Sequence, residues 1–152
     1  MNEIGAHGLA NTVVKTIAVN LAATRRAIAA AAIAAGRDPA GVRLVAVSKF
    51  HDDAAVQAAM AAGQYCFGEN RVQEAAEKFA ALRTPELELH LIGPLQTNKA
   101  EAAVRLFDVI QTLDRAKLAA ALAKAIQKTG CHPRLYVEIN SGREAQKAGI
   151  AP

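Results

Sequence analysis

The chain predicts an α/β fold built from successive parallel βα units. Two observations carry that prediction. Short apolar runs alternate five times with stretches of helical period, at intervals of roughly 20–25 residues. Each run also hands over, at its C-terminal end, to polar or glycine-bearing residues: Lys49, Glu69-Asn70, Gly93, Thr112 to Asp114, and Asn140. In a parallel sheet those ends share one rim, and α/β proteins bind ligands along that rim. Loops from strand to helix are polar and glycine-rich in any case, so individual residues must decide whether the rim is a site.

The elements follow in order. Leu9 to Ala35 reads as one long helix, with Val14, Ile17, Leu21 and Ile28 on one face and Arg25 and Arg26 off it. Gly36 stops it, and Asp38-Pro39 marks the break. Arg43 to Ser48 is the first strand; its apolar run Val45-Ala46-Val47 predicts burial. Asp52 or Asp53 caps a second helix that runs to Ala62, and Gly63 ends it. Tyr65-Cys66-Phe67 is the second strand. Arg71 to Leu82 is the third helix, with Asn70 at its N-cap and Gln73 three residues on. Leu87 to Ile92, Phe107 to Gln111 and Arg134 to Ile139 are the remaining strands. Thr97 to Arg105 and a helix capped by Asp114 and running through Lys128 lie between them, and Gly130 stops the latter. The whole reads as one domain over 1–152, with 1–36 an N-terminal helical segment and 43–152 the five βα units.

Composition narrows the function. The chain has 152 residues and is 52% hydrophobic, which suits a globular core. Trp is absent and aromatic residues make up 4%, which argues against the stacking platforms of single-strand nucleic-acid binders. The net charge of +4 is spread along the chain, as on a solvated surface; an anionic small ligand fits it better than nucleic acid does. Cys66 and Cys131 are far apart and form no CxxC, so neither a disulfide framework nor a metal site is expected. A reducing cytoplasm fits them. No basic region followed by an apolar core opens the chain, and no membrane span is expected.

Common catalytic signatures are missing: there is no GxxxxGK[ST], no GxGxxG after the first strand and no GxSxG. His7, His51, His90 and His132 lack metal spacing, and His90, inside a strand, reads as a hydrogen-bonded core histidine. Lys49 stands out. It ends a short apolar strand that buries its stem, and a partly desolvated amine can grip a phosphate or attack a carbonyl. Gly68-Glu69-Asn70-Arg71 gives a glycine turn, and Asn70 can donate to an anionic oxygen. On length alone, five strands in 152 residues favour an open doubly wound sheet over an eight-stranded barrel, which needs at least about 200 residues.

The combined motifs shift that balance. Val-Ala-Val-Ser-Lys at 45–49, Phe-Gly-Glu-Asn-Arg-Val-Gln-Glu at 67–74 and His-Leu-Ile-Gly-Pro-Leu-Gln-Thr-Asn-Lys at 90–99 occur in order. Val-Glu-Ile-Asn-Ser-Gly at 137–142 and Lys147-Ala148-Gly149 continue the series. Together they resemble the pyridoxal 5'-phosphate homeostasis proteins, the YggS-like or proline synthase co-transcribed family. The resemblance runs from residue 43 to the end of the chain.

It implies a (β/α) TIM-type barrel of the alanine racemase N-terminal type, here only about five βα units. It also implies pyridoxal 5'-phosphate held as a Schiff base on Lys49, Asn70 in the cofactor pocket and, more weakly, Lys147 as a second lysine nearby. The family binds and passes on the cofactor and is not an established catalyst. An amino-acid racemase of the same fold is the alternative. It needs a second acid/base facing the cofactor, and the only tyrosines, Tyr65 and Tyr136, read as mid-strand. A half-barrel without cofactor, acting through its edges, is the third reading. Two local departures are His51, where the family often has lysine, and Leu89, where an aromatic is common. The larger departure is length. Family chains continue with Ser-Met-Gly-Met-Ser and Arg-Ile-Gly type segments that hold the phosphate and ring nitrogen, and nothing here matches them. The expectation is a C-terminally truncated barrel with exposed edge strands, self-association through them, and weak cofactor binding, or none, in the isolated monomer.

Overall fold

The computed structural model describes residues 3–152, and side chains from residue 14 onward. The chain divides into two compact units, one ending at Tyr65 and the other spanning Cys66–Pro152.

The first unit is dominated by helix α1, Glu3–Ala34. Of the expected apolar face, Ile17, Leu21 and Ile28 are half-buried while Val14 is exposed; Ala32 is the buried residue of the described part. Gly36, at a φ of 66°, ends the helix as expected, and the amide of Arg37 returns to the carbonyl of Ala32. Asp38 then accepts from the amide of Ala40 and opens a short 3-10 turn at Pro39–Gly41. Strand β1 is shorter than expected, Ala46–Val47, and Val47 is 46% exposed. The apolar run predicted burial for all three of its residues. None of the three is fully buried: Val45 and Ala46 are half-buried and Val47 is exposed. Asp52 caps helix α2, Asp53–Ala61, by accepting from the amide of Ala55.

The long first helix has a clear role in this unit. Arg25, which lies off the apolar face, donates to the carbonyls of Ala62 and Gly63 at 3.0 and 2.9 Å. These are the orphan acceptors at the C-terminal end of α2, where a cation is favoured. Arg25 also reaches Gln64, whose amide donates to the carbonyl of Leu44. By length and composition alone Val14–Ala34 could cross a membrane. Alanine supplies most of that apolarity, and the guanidinium midway along is held by α2; a charge at that depth of a bilayer is expensive.

In the second unit four parallel strands lie side by side in chain order: β2, Cys66–Glu69; β3, Glu88–Leu91; β4, Val109–Leu113; and β5, Arg134–Val137. Between them run α3, Val72–Phe79; α4, Ala100–Leu106, preceded by a 3-10 turn; and α5, Ala116–Thr129. Phe67, Leu89, Leu91 and Ile110 are essentially inaccessible. So are Phe79 of α3 and Leu118 and Leu122 of α5. Phe67 and Phe79 pack ring to ring at 5.8 Å, which fixes α3 on this face of the sheet. Burying a side chain of this size contributes about 1.5–3 kcal/mol.

The N-terminal ends of the strands are tied together by one residue. Asp108 accepts from the amide of Leu89 and receives both guanidinium nitrogens of Arg83, while its carbonyl accepts from the amide of Arg134. β3, β4 and β5 are thereby held in register at one end. That leaves the other end of the sheet to the long polar loops.

Candidate functional site

Two of the predicted caps do not form. Arg71, extended at φ −132° and ψ 132°, occupies the N-cap of α3, and Arg115 occupies that of α5; neither makes a side-chain cap bond. Asn70 and Asp114 each lie one residue too early. The cause is visible at the C-terminal edge of the sheet. The amide of Ile92 donates to the carbonyl of Glu69, and Gly93 then passes so close to Asn70 that a Cβ at position 93 would lie 2.3 Å from the Asn70 carbonyl oxygen. The chain at Asn70 is therefore part of the sheet edge and not of the helix. Asp114 pairs with Arg115, whose guanidinium also donates to the carbonyl of Leu95.

These contacts assemble the rim foreseen from the strand ends. Thr112 Oγ1 donates to the carbonyl of Gly93 at 2.9 Å, so the ends of β2, β3 and β4 are joined. Beside them opens a cavity of about 620 Å³ lined by Asn70, Gln73, Gln96, Arg71, Lys99 and Arg115 among others. Three cations and three amides face this space. Arg71 is partly neutralised by Glu74 at 2.7 Å. The remaining chemistry suits an anionic or carbonyl oxygen.

Asn140 organises a second loop. Its side chain accepts from the amide of Glu144 and donates to the Glu144 carbonyl. It thereby closes a smaller cavity of about 250 Å³. Lys147, at its edge, forms an ion pair with Glu144. Both residues take part in closing this loop.

Lys49 belongs to the first unit. It is half-buried and follows β1 in a tight turn closed by the amide of His51 donating to the carbonyl of Ser48. Phe50, the next residue, has a φ of 66°, a conformation uncommon outside glycine and asparagine. Lys49 Nζ lies 5.8 Å from the Phe50 ring centroid and forms no ion pair with a carboxylate among the described residues. A lysine held at a strained strand end, with its amine uncommitted to an acid, is equipped to meet a carbonyl.

One cluster escaped the reading of spacings. Parallel register places Cys66 beside Glu88, and His90 follows two residues on along the same face. Cys66 Sγ lies 3.3 Å from His90 Nε2 and 3.8 Å from Glu88 Oε1, and the last two atoms are 2.6 Å apart. His90 is 4% exposed and satisfied, as expected for a core histidine, and its Nδ1 lies 2.7 Å from the amide nitrogen of Gln111. Arg134 holds the other oxygen of Glu88 at 2.6 Å. The signal was available only as strand register combined with the two-residue alternation.

Comparison with known proteins bears on both units. Residues 13–152 match the family model described as alanine racemase, N-terminal domain. A pyridoxal phosphate homeostasis protein of Pseudomonas aeruginosa is 45% identical over 139 residues, covering 90% of this chain and 60% of its own. The protein of the same name from Escherichia coli is 43% identical, over 88% of this chain and 58% of its own. The chain thus spans about 60% of the length of these curated relatives. Among solved structures, PipY of Synechococcus elongatus, determined with PLP bound, superposes with a TM-score of 0.74 at 42% identity, covering 90% of this chain and 58% of PipY. A protein of Bifidobacterium adolescentis gives a TM-score of 0.85 at 31% identity over 93% of this chain and 61% of its own.

Proposed function

The chain belongs to the family of the alanine racemase N-terminal domain, an incomplete (β/α) barrel here, and on that premise we propose that it binds pyridoxal 5'-phosphate as a cofactor-homeostasis protein. In this proposal the cofactor aldehyde is held as a Schiff base on Lys49. Lys49 Nζ would hold the cofactor through its aldehyde carbon. The cofactor would bring an electron-withdrawing ring and a reactive aldehyde. The protein's part is to hold them.

The observation that carries the reading is Lys49 itself: a half-buried lysine at the end of β1, in a chain 42% identical over 90% of its length to PipY, which has been solved with PLP. Asn70 takes the place of a pocket residue. Its backbone is pinned against Gly93, so its side chain starts from a fixed point. Lys147 takes the lesser part, since its ammonium is engaged by Glu144.

Reductive trapping tests the proposal. The protein is mixed with pyridoxal 5'-phosphate, reduced with borohydride, digested and mapped by mass spectrometry. The expected result is a dominant pyridoxyl adduct on Lys49 that disappears in Lys49→Ala, with little on Lys147. Labelling spread evenly over the surface lysines would overturn it.

A further inference from the structure

We propose that Cys66, Glu88 and His90 form a Zn²⁺ site on the face of the sheet turned away from α3, α4 and α5. The site is independent of Lys49 and of the cofactor reading. Three ligand types common to zinc converge here: a thiol, an imidazole nitrogen and a carboxylate oxygen, all within 4.8 Å of one another.

Geometry separates this reading from a catalytic triad. In a triad the acid and the nucleophile sit on opposite ring nitrogens. Here Glu88 Oε1 and Cys66 Sγ both approach His90 Nε2, at 2.6 and 3.3 Å, and the thiol also reaches Glu88 Oε1 at 3.8 Å. The three atoms thus converge on one another rather than lying along a relay, and a cation between them would take the place of the ring and thiol protons. The opposite nitrogen, Nδ1, is 2.7 Å from the side-chain amide of Gln111. Turning that amide over presents its oxygen to Nδ1–H, the usual outer partner of a metal-bound histidine. Arg134 holds Glu88 Oε2, and Oε1 is the oxygen turned toward Cys66 and His90.

The adjustment needed is small. Tetrahedral zinc sets a nitrogen–oxygen edge of about 3.4 Å and a sulfur–nitrogen edge of about 3.6 Å. The 2.6 Å contact must therefore open by somewhat less than 1 Å, within reach of Glu88, which is 22% exposed and not locked in the core. Charge also balances. The cation's two positive charges meet one thiolate and one carboxylate, with the imidazole neutral, so a largely buried centre carries no net charge. On binding, the Cys66 S–H bond breaks, a zinc–sulfur bond forms and the proton leaves to solvent. Affinity therefore rises with pH. Mixed sulfur, nitrogen and oxygen donors select zinc over magnesium or calcium. The fourth position is left to water.

Cobalt(II) is the probe, since zinc is spectroscopically silent. The experiment uses the full chain carrying Cys131→Ser, in which Cys66 is the only thiol. Cys131 is partly exposed beyond the end of α5, so its loss leaves the core intact. Titration is expected to give a near-ultraviolet thiolate-to-cobalt charge-transfer band and visible ligand-field bands, saturating at one metal per chain and erased by zinc. Gln111→Leu, which touches only the outer partner of His90, should weaken affinity about 10–100-fold. Lys124→Ala, on the exposed side of α5, should leave it unchanged. Absence of the charge-transfer band in the Cys131→Ser chain overturns the proposal, and so does an affinity indifferent to Gln111→Leu.

Discussion

At the scale of single residues, the most consequential pair is one that sequence patterning does not reveal. Glu69 sits on β2 with a fully buried side chain, and Lys78 of α3 reaches it at 2.7 Å with 11% of its own side chain exposed. Both charges left water on folding, and each needs the other. Removing one member of such a pair typically costs about 3–5 kcal/mol, against about 0–1 kcal/mol for an exposed pair. Lys78→Met is therefore expected to lower the urea midpoint far more than Arg105→Met, which breaks only the exposed contact to Glu101. Equal midpoints would show that the buried carboxylate finds compensation elsewhere. Glu69 looked like part of a polar turn because its neighbours are Gly68 and Asn70. Only strand alternation, which sends Gly68 one way and Glu69 the other, assigns it to the helix side. Gly93 was likewise visible as a turn glycine, but the reason for it, the close passage of Asn70, is a contact between two loops.

Elements were easier to read than their ends. All five expected helices form, because an apolar stripe at helical spacing is a local property, but α1 begins at Glu3 rather than Leu9, α3 stops at Phe79 rather than Leu82, and a 3-10 turn takes the place of the expected first turn of α4. Stops were legible too: Gly36 and Gly130 both adopt the left-handed conformation that closes a helix. The starts of α3 and α5 were misplaced by one residue. Capping rules assume that the chain is free to choose its first turn, and at Asn70 and Asp114 tertiary contacts had already spent that freedom. The link between α4 and α5 gives an acid-side prediction. Glu101 accepts from Lys128 at 2.8 Å and from Arg105 at 3.2 Å. The Lys128 hydrogen bond first, then that of Arg105, holds its carboxyl below the ordinary glutamate value. A carboxyl lowered on folding stabilises the native state above the unfolded value, and that contribution is lost as pH falls through the lowered native one. The urea midpoint should therefore decline less steeply on acidification in Glu101→Gln than in the parent chain. The difference should shrink in high salt, because the group is exposed. Parallel acid limbs at low salt would remove this link from the account.

For the molecule as a whole, β5 is the telling strand. It pairs with β4 on one side and ends the order of strands, and Tyr136 and Val137 within it are about half exposed, whereas Ile139 just beyond is bridged to Ile150. An uncovered edge with apolar side chains is a template for pairing with another chain. Sedimentation over increasing concentration is expected to show reversible association, and Val137→Lys, which places a charge on that edge, should shift the protein toward monomer. A concentration-independent monomer in both chains would mean that the edge is inert.

The amino-acid sequence by itself determined the alternation of elements, the helix stops and the family resemblance, since periodicity, glycine placement and ordered motifs are all written locally along the chain. It also marked Lys49, which closes an apolar run, and Asn70, which lies in the polar turn after the second strand, as candidates. Only the tertiary structure decided which face each strand residue serves. Parallel register set Cys66 against Glu88 and His90, sent Glu69 to Lys78, and drew Gly93 onto Asn70. Register depends on how one strand slides against the next, and a slide of one residue reverses every side chain. That choice is made by the packed helices and by contacts such as those of Asp108, among residues distant in the chain.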